Sequence, residues 1–295
     1  MANSIKSIPV IVDRTYQLIK LIQLVFLSLT LLLFGVSAYI LWVSDVERMV
    51  AIGLLIGVMM VLVGLYLERR VRNQSGEMIM PLLCDYVGGL SYQRHSGFPN
   101  GFLDWGLVPA GRNMWAQDRI GGTAGGSNFA IWDAKIRSGN KNQVSLFKGF
   151  LIEITDLKPH MRFSVQKQKS EVLASLKAVL RDRSPSDKKP LSEFSVNGAT
   201  YTISVLDTPT QQSEIEAQVR ILAESLPNGA RFDAVTQNQG RARIVVSTLY
   251  DPFEIGTLLV TRSMLEKRVE RALGQLRAPL EIVDHWISAQ KSLTD

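Results

Sequence analysis

The sequence predicts an α+β protein in which an N-terminal two-helix transmembrane hairpin precedes a mixed, largely antiparallel sheet domain with amphipathic helices. Three observations predict it. Two long uncharged apolar runs occupy the first quarter of the chain, several later segments alternate with a period of two, and three stretches repeat apolar residues at spacings of three and four. At 295 residues with 46% hydrophobic content the chain can bury a sizeable core, which argues against disorder. Its one cysteine excludes a disulfide framework and a multi-cysteine metal site.

From Leu21 to Val43 the chain carries no charge. About 23 residues at 1.5 Å rise reach about 35 Å, enough for a hydrocarbon core of about 30 Å. After the polar link Ser44-Asp45-Val46-Glu47-Arg48, the run from Met49 to Leu67 is uncharged as well and reaches about 28 Å. A secretory signal has a shorter apolar region of about 7 to 15 residues, so both runs read as retained spans. Lys6, Arg14 and Lys20 precede the first span and Arg69, Arg70 and Arg72 follow the second, with only Arg48 between them. This distribution predicts cytoplasmic N- and C-termini, with the arginine cluster setting topology or meeting anionic lipid. Gly53 and Gly57 form a GxxxG pair, and Gly64 continues its face. These glycines predict close helix packing, either against the first span near Gly35 and Ala38 or between protomers.

The predicted organisation is a cytoplasmic segment over 1–20, the hairpin over 21–67, a juxtamembrane helix over 68–87 and a cytoplasmic domain over 88–295. Within the juxtamembrane helix, Met78, Ile79, Leu82, Leu83 and Tyr86 share a face, Pro81 predicts a kink, and Gly88-Gly89 a stop. Residues 88 to 126, rich in glycine and aromatics, read as a long ordered loop with short elements, and Gly121 to Gly126 as a turn between strands. That glycine stretch lacks the Lys-Ser/Thr of a phosphate-binding loop.

Strands are predicted at 129–137, 144–154 and 161–165, then around Phe194, at 201–205, 230–235 and 242–249. Ser170 caps a predicted helix bearing Val172, Leu173, Leu176, Val179 and Leu180, and the charged stretch 181–190 separates two halves of the domain. A second helix, with a capping box from Ser213 to Glu216, ends at Pro227-Asn228-Gly229. A third runs from Arg262 with a stripe from Leu265 to Ile287 that reads as core, and Pro279 predicts a kink or restart.

Catalytic signatures are sparse. His95, His160 and His285 lack partners at metal spacing, Cys84 reads as a small buried hydrophobe, and no nucleophile-elbow motif occurs. No metal or cofactor site is predicted, and the dispersed basic residues indicate no nucleic-acid partner. Asp104, Asp118 and Asp133 in the Gly/Trp-rich region are the carboxylates that folding could bring together for acid/base work.

Gly101-Phe102 through Pro109, Asp118-Arg-Ile-Gly-Gly, Phe129-Ala-Ile-Trp-Asp-Ala-Lys and Leu146-Phe-Lys-Gly-Phe-Leu-Ile-Glu resemble the motifs of a family of uncharacterised bacterial inner-membrane proteins with two N-terminal transmembrane helices and a cytoplasmic domain of unknown function. The resemblance extends over most of residues 70 to 288 and implies a bacterial inner-membrane location and a shared fold. It transfers no catalytic residue.

The expected function is therefore a membrane-anchored interaction or scaffold module whose partners are the bilayer and either copies of itself or another membrane protein. Two alternatives stand beside it. One is a membrane-bound hydrolase or transferase using Asp104, Asp118 or His95 within 94–133. The other is a subunit of an oligomeric pore or transporter assembled through Gly53 and Gly57.

Overall fold

The structure, a computed structural model, describes residues 8–43, 46–139, 144–157, 162–168, 192–205, 212–249 and 260–292. The helix expected from Ser170, the dividing stretch 181–190 and His160 lie outside the described residues. The chain forms two compact units, one of residues 1–87 with 253–275 and the other of residues 88–252 with 276–295. Residues of the terminal helix are thus divided between the two units.

The first unit is helical. Helix α1 spans Ile8–Val43 and helix α2 spans Val46–Val87. The first apolar run thus lies in a helix that already includes part of the N-terminal segment, and the second lies in a helix that runs on through residues 68–87. Pro81 sits inside α2 without ending it, and α2 stops where Gly88 and Gly89 take φ values of +95° and +68°. Ile11, Val12, Thr15 and Ile19 of α1 are buried, as are Val71, Ile79, Met80, Leu83 and Cys84 of α2. Asp13 accepts a 2.8 Å hydrogen bond from Nε of Arg262, tying α1 to the start of the terminal helix.

The second unit is a nine-stranded antiparallel sheet. In chain order its strands are β1 (Ser91–Arg94), β2 (Asn113–Ala124), β3 (Ser127–Arg137), β4 (Ser145–Thr155), β5 (Phe163–Lys167), β6 (Ser192–Val196), β7 (Ala199–Val205), β8 (Ala230–Asn238) and β9 (Arg241–Thr248). Their spatial order is β1-β2-β3-β4-β9-β8-β5-β7-β6. A meander over β1 to β4 is continued by the β8–β9 hairpin, which inserts between β4 and β5. Helix α3 (Gly101–Asp104) is a single turn before β2, α4 spans Gln212–Ser225, and α5 spans Arg262–Ser292. Strands β7 and β8 are both antiparallel to β5 and hence parallel to each other, so α4 makes a crossover over β5. The order β8-β5-β7-β6 is that of a split βαβ unit.

Strands β1 and β2 occupy part of the expected loop over 88 to 126. Their sequences escape period-two reading because β2 places Asp118, Gly121 and Gly122 where apolar residues would alternate. The glycines answer to close packing: a Cβ at Gly122 would stand 2.8 Å from the Phe129 ring and 2.9 Å from Leu90. Only Gly125 and Gly126, with φ +55° and +90°, make the turn. Helix α4 begins at Gln212, one residue before the predicted cap, and Glu216 accepts hydrogen bonds from Gln212 and Ser192 instead of closing a capping box.

One face of the sheet carries the 98–108 segment. Phe102, Leu107 and Val108 pack there with Ala130, Trp132, Ala134, Leu151 and Val245, and Phe102 meets Trp132 edge-on at 6.3 Å. On the other face, Trp286 lies 6.1 Å from the Phe163 ring. The α5 stripe is buried as expected for core, from Leu265 through Val283 to Ile287. The helix continues through Pro279, which is itself buried. One lost backbone hydrogen bond is offset by apolar burial on both sides of it.

Candidate functional site

Two features can carry function: the apolar surface of the helical unit and the polar network in the meander. Along α1, no described residue from Leu21 to Tyr39 is buried, and Leu31 and Phe34 are 63% and 74% exposed. The segment Pro9–Tyr39 is long and apolar enough to cross a membrane. The hydroxyls of Thr15, Thr30 and Ser37 are satisfied within the helix, Thr30 donating to the Phe26 carbonyl at 2.8 Å and Ser37 to that of Leu33 at 2.6 Å. Hydrocarbon supplies no hydrogen-bond partners, so self-satisfied side chains of this kind suit a lipid environment.

Helix α2 presents a similar surface, with Leu55, Val61 and Leu65 exposed. Its glycines divide into two groups. A Cβ at Gly64 would sit 3.9 Å from the Phe26 ring, so this position faces α1. Among the described residues nothing lies within 4 Å of a Cβ at Gly53, Gly57 or Gly35. The packing expected near Gly35 is thus not seen at Gly53 or Gly57 among the described residues. Together with Val58, Val61 and Leu62 they line an open apolar groove of about 640 Å³. Arg69 and Arg70, one turn beyond the apolar run, are exposed, while the side chain of Arg72 lies outside the described ones.

In the meander, pairing of β1 with β2 sets Arg94 opposite Asp118, and pairing of β2 with β3 sets Asp118 opposite Asp133. A bulge between Ala116 and Asp118 creates this alignment. The Tyr92 hydroxyl donates to Asp118 Oδ1. Two buried carboxylates are thereby brought to adjacent register positions, with a phenol and a guanidinium-bearing residue on the neighbouring strand. The other two residues of the catalytic alternative are not gathered there. Asp104 is exposed at the end of the α3 turn, and His95 is exposed beyond the end of β1, with φ +57° and its N–H donated to the Gln117 carbonyl.

Asp118 and Asp133 stand out in the sequence, whereas Tyr92 and Arg94 do not, because the four residues of β1 are too few to show an alternation. Among the described residues no group of three or more His, Cys, Asp or Glu is placed to hold a metal ion. Comparison with known proteins finds no match to a protein family, to a curated protein or to a solved structure.

Acid/base catalysis requires a carboxyl within reach of a substrate proton. The burial of Asp118 and Asp133 and the tyrosine bond favour a network that holds the meander together. The helical surface, in contrast, leaves apolar side chains and an open glycine face uncovered among the described residues.

Proposed function

We propose that the protein is a membrane-anchored interaction module of the bacterial inner membrane, with α1 and the first part of α2 as two spans, both termini cytoplasmic, and self-association through the Gly53/Gly57 face. The observation that carries this reading is the open groove at Gly53 and Gly57. Glycines at that spacing let helix backbones approach closely, and packing in the bilayer replaces lipid contacts with helix contacts. The exposed apolar surface along α1 supports anchoring, and the basic residues flanking the two runs support the orientation. The absence of Asp, Glu, Lys, Arg and His from 21–43 and 49–67 argues against a transport path.

The test is mass photometry of the full chain in nanodiscs or mild detergent. Wild-type protein is expected as a dimer or higher oligomer and Gly57→Leu as a monomer. A wild-type monomer, or an oligomer that Gly57→Leu leaves intact, overturns self-association through this face. Protease protection of a C-terminal tag in inverted membrane vesicles checks the orientation, because a cytoplasmic C-terminus is cleaved there.

A further inference from the structure

Register gathers cations at one end of the meander. Trp115 of β2 is directly opposite Lys135 of β3, and Lys135 is directly opposite Lys148 of β4, so the three form one row across neighbouring strands. Directly opposed residues of an antiparallel pair present their side chains to the same face. Arg137, two residues beyond Lys135 on β3, shares that face, and its guanidinium carbon lies 5.1 Å from the centre of the Trp115 ring. Ala134 and Ile136, on either side of Lys135, belong to the Phe102 cluster. The row therefore lies on the sheet face away from the 98–108 segment.

Apolar side chains border it. Ile136 pairs with Phe147 while Arg137 pairs with Ser145, so Leu146 is an extra residue of β4 at a bulge. Leu146 is 38% exposed and Val144 is 59% exposed. Val144 is held beside Arg137 by two hydrogen bonds: the Ser138 N–H donates to its carbonyl at 2.9 Å, and its own N–H donates to Ser138 Oγ at 3.1 Å.

The charge at this end is one-sided. Asp118, Asp133 and Glu153 are the only carboxylates within β2, β3 and β4. Asp118 and Asp133 are buried, and Glu153 lies opposite Ala130 on the other face, paired with Arg243. Arg137 is exposed, and Trp115, Lys135 and Lys148 are partly exposed. Lys135 and Arg137 each have a further partner within the chain, whereas Lys148 has no ion pair among the described residues. Like charges directly opposite each other destabilise a sheet, so folding alone gives no reason for setting Lys135 against Lys148. An anionic surface does.

We propose that this patch docks on anionic phospholipid headgroups, with Lys135, Arg137 and Lys148 meeting phosphates while Trp115, Val144 and Leu146 enter the headgroup boundary. The inference rests on the membrane anchoring proposed above and adds a second, peripheral contact made by the sheet. The mixture of side chains selects a lipid surface. Tryptophan, lysine and arginine each join an apolar body to a polar tip, which suits a boundary with one dry and one wet side. Exposed aliphatic groups gain from leaving water for that boundary, a gain that a soluble anion does not offer. Each basic residue near an anionic membrane strengthens attachment by about fivefold.

The test places an environment-sensitive NBD fluorophore on Ser145→Cys of the full chain, where Cys84 is buried and does not compete. The labelled chain is reconstituted in nanodiscs of phosphatidylcholine alone or of phosphatidylcholine with phosphatidylglycerol. Emission is expected to brighten and shift to the blue only in the anionic discs, and high salt should reverse the change by screening. Arg137→Gln/Lys148→Gln should lower the ratio of docked to undocked chains by about twentyfold or more. Val144→Ser, which leaves the charge unchanged, should lower it too. Lys167→Gln/Arg231→Gln, an equal charge loss on β5 and β8, should have no effect. Identical emission in the two kinds of disc overturns the proposal, as does an equal loss from the β5 and β8 variant. A shift in phosphatidylcholine discs that hold two chains but not one places a second copy on the patch and also overturns it. Carbonate extraction tests the anchoring separately: a retained chain with an unshifted probe refutes docking alone. A chain released by carbonate refutes anchoring, and the same probe read with phosphatidylglycerol vesicles then decides docking. Should the charge variant unfold by circular dichroism, the Val144→Ser result decides.

Discussion

Arg243 on β9 donates from Nε to Oε1 of Glu153 on β4 at 2.9 Å, and the two residues occupy the same register position across the strands. The Arg243 side chain is 10% exposed, the Trp105 ring lies 6.0 Å from its guanidinium carbon, and a Cβ at Gly101 would stand 3.0 Å from it. One ion pair thus fastens the α3 turn to the sheet as well as joining β4 to β9.

Breaking this pair from either side should therefore destabilise more than removing it whole. Glu153→Gln alone is expected to cost about 2 kcal/mol, because the largely buried Arg243 charge loses its partner, and Arg243→Met alone about 1 kcal/mol, because Glu153 keeps Arg241 at 3.7 Å. The double variant Glu153→Met/Arg243→Met should recover much of that loss. Urea unfolding in nanodiscs, followed by tryptophan fluorescence, measures the cycle; strictly additive losses would show that the two side chains are not coupled.

Gly149 of β4 stands where β9 comes closest. A Cβ there would sit 2.0 Å from the Val246 carbonyl oxygen and 2.7 Å from the Ser247 Cα, both backbone atoms that cannot swing aside. Gly149→Ala should destabilise by about 3 kcal/mol or prevent folding, read as a lowered urea midpoint or as loss of soluble expression of the membrane-extracted protein. Gly198→Ala meets no such atoms, and its cost should be limited to backbone strain at φ +74° of about 1 kcal/mol.

Those glycines show how far the sequence could be read. The Phe-Lys-Gly strand was recognisable from alternation in Val144 to Ile154, since residues on a half-buried strand repeat at period two. The reason for its glycine was not, because it lies on β9, almost a hundred residues away in the chain. Strand β2 was missed for a related cause: its Asp118 and Gly122 are explained by partners on β1 and β3, and a local pattern cannot register them. Helices α4 and α5 were legible because their buried faces recur at 3.6 residues. Their Pro and cap signals misled by a residue or a break, since tertiary burial outweighs one backbone hydrogen bond. Gly53 and Gly57 were visible as a pair, but only the structure separates them from Gly64 at Phe26.

Cys84 should be nearly inert in the native protein. It is buried, and its thiol is pushed up to about 12, first by burial and then by the neighbouring charge of Asp85. The thiolate is the reactive form, so at pH 8 labelling with a disulfide reagent should run at least about a hundredfold slower than in denaturant. Rapid stoichiometric labelling of folded protein at that pH would show that this part of α2 opens readily.

Tyr201 makes alkaline stability specific to one side chain. The native hydroxyl titrates near 12 and the unfolded one near its ordinary value of 10, so the native state retains a proton that the unfolded state releases between them. Its stabilising contribution is present in full below pH 10 and is lost as pH rises through 12. Tyr201→Phe should cost about 1 kcal/mol at pH 7 for the lost bond to the Phe232 carbonyl. The gap between variant and wild type should shrink from pH 10 to 12 in unfolding scans, and a gap independent of pH would refute the assignment.

Beneath α5, Gln237 of β8 donates from Nε2 to Gln290 Oε1 at 3.0 Å, and Trp286 is buried on the same helix one turn earlier. Gln237 Oε1, Gln290 Nε2 and Trp286 Nε1 have no hydrogen-bond partner among the described residues. A buried amide pair with half of its capacity unused contributes less than its bond suggests, since each unmet group keeps its desolvation cost. Replacing either glutamine alone should destabilise by about 1 to 2 kcal/mol, because the remaining amide then loses its last partner. Replacing both, as Gln237→Leu/Gln290→Leu, should be neutral or stabilising, and Trp286→Phe should lose packing but gain back the unmet indole N–H. A double variant less stable than either single one would mean that the amides fix the seating of α5 on the sheet, and that polar specificity there outweighs desolvation.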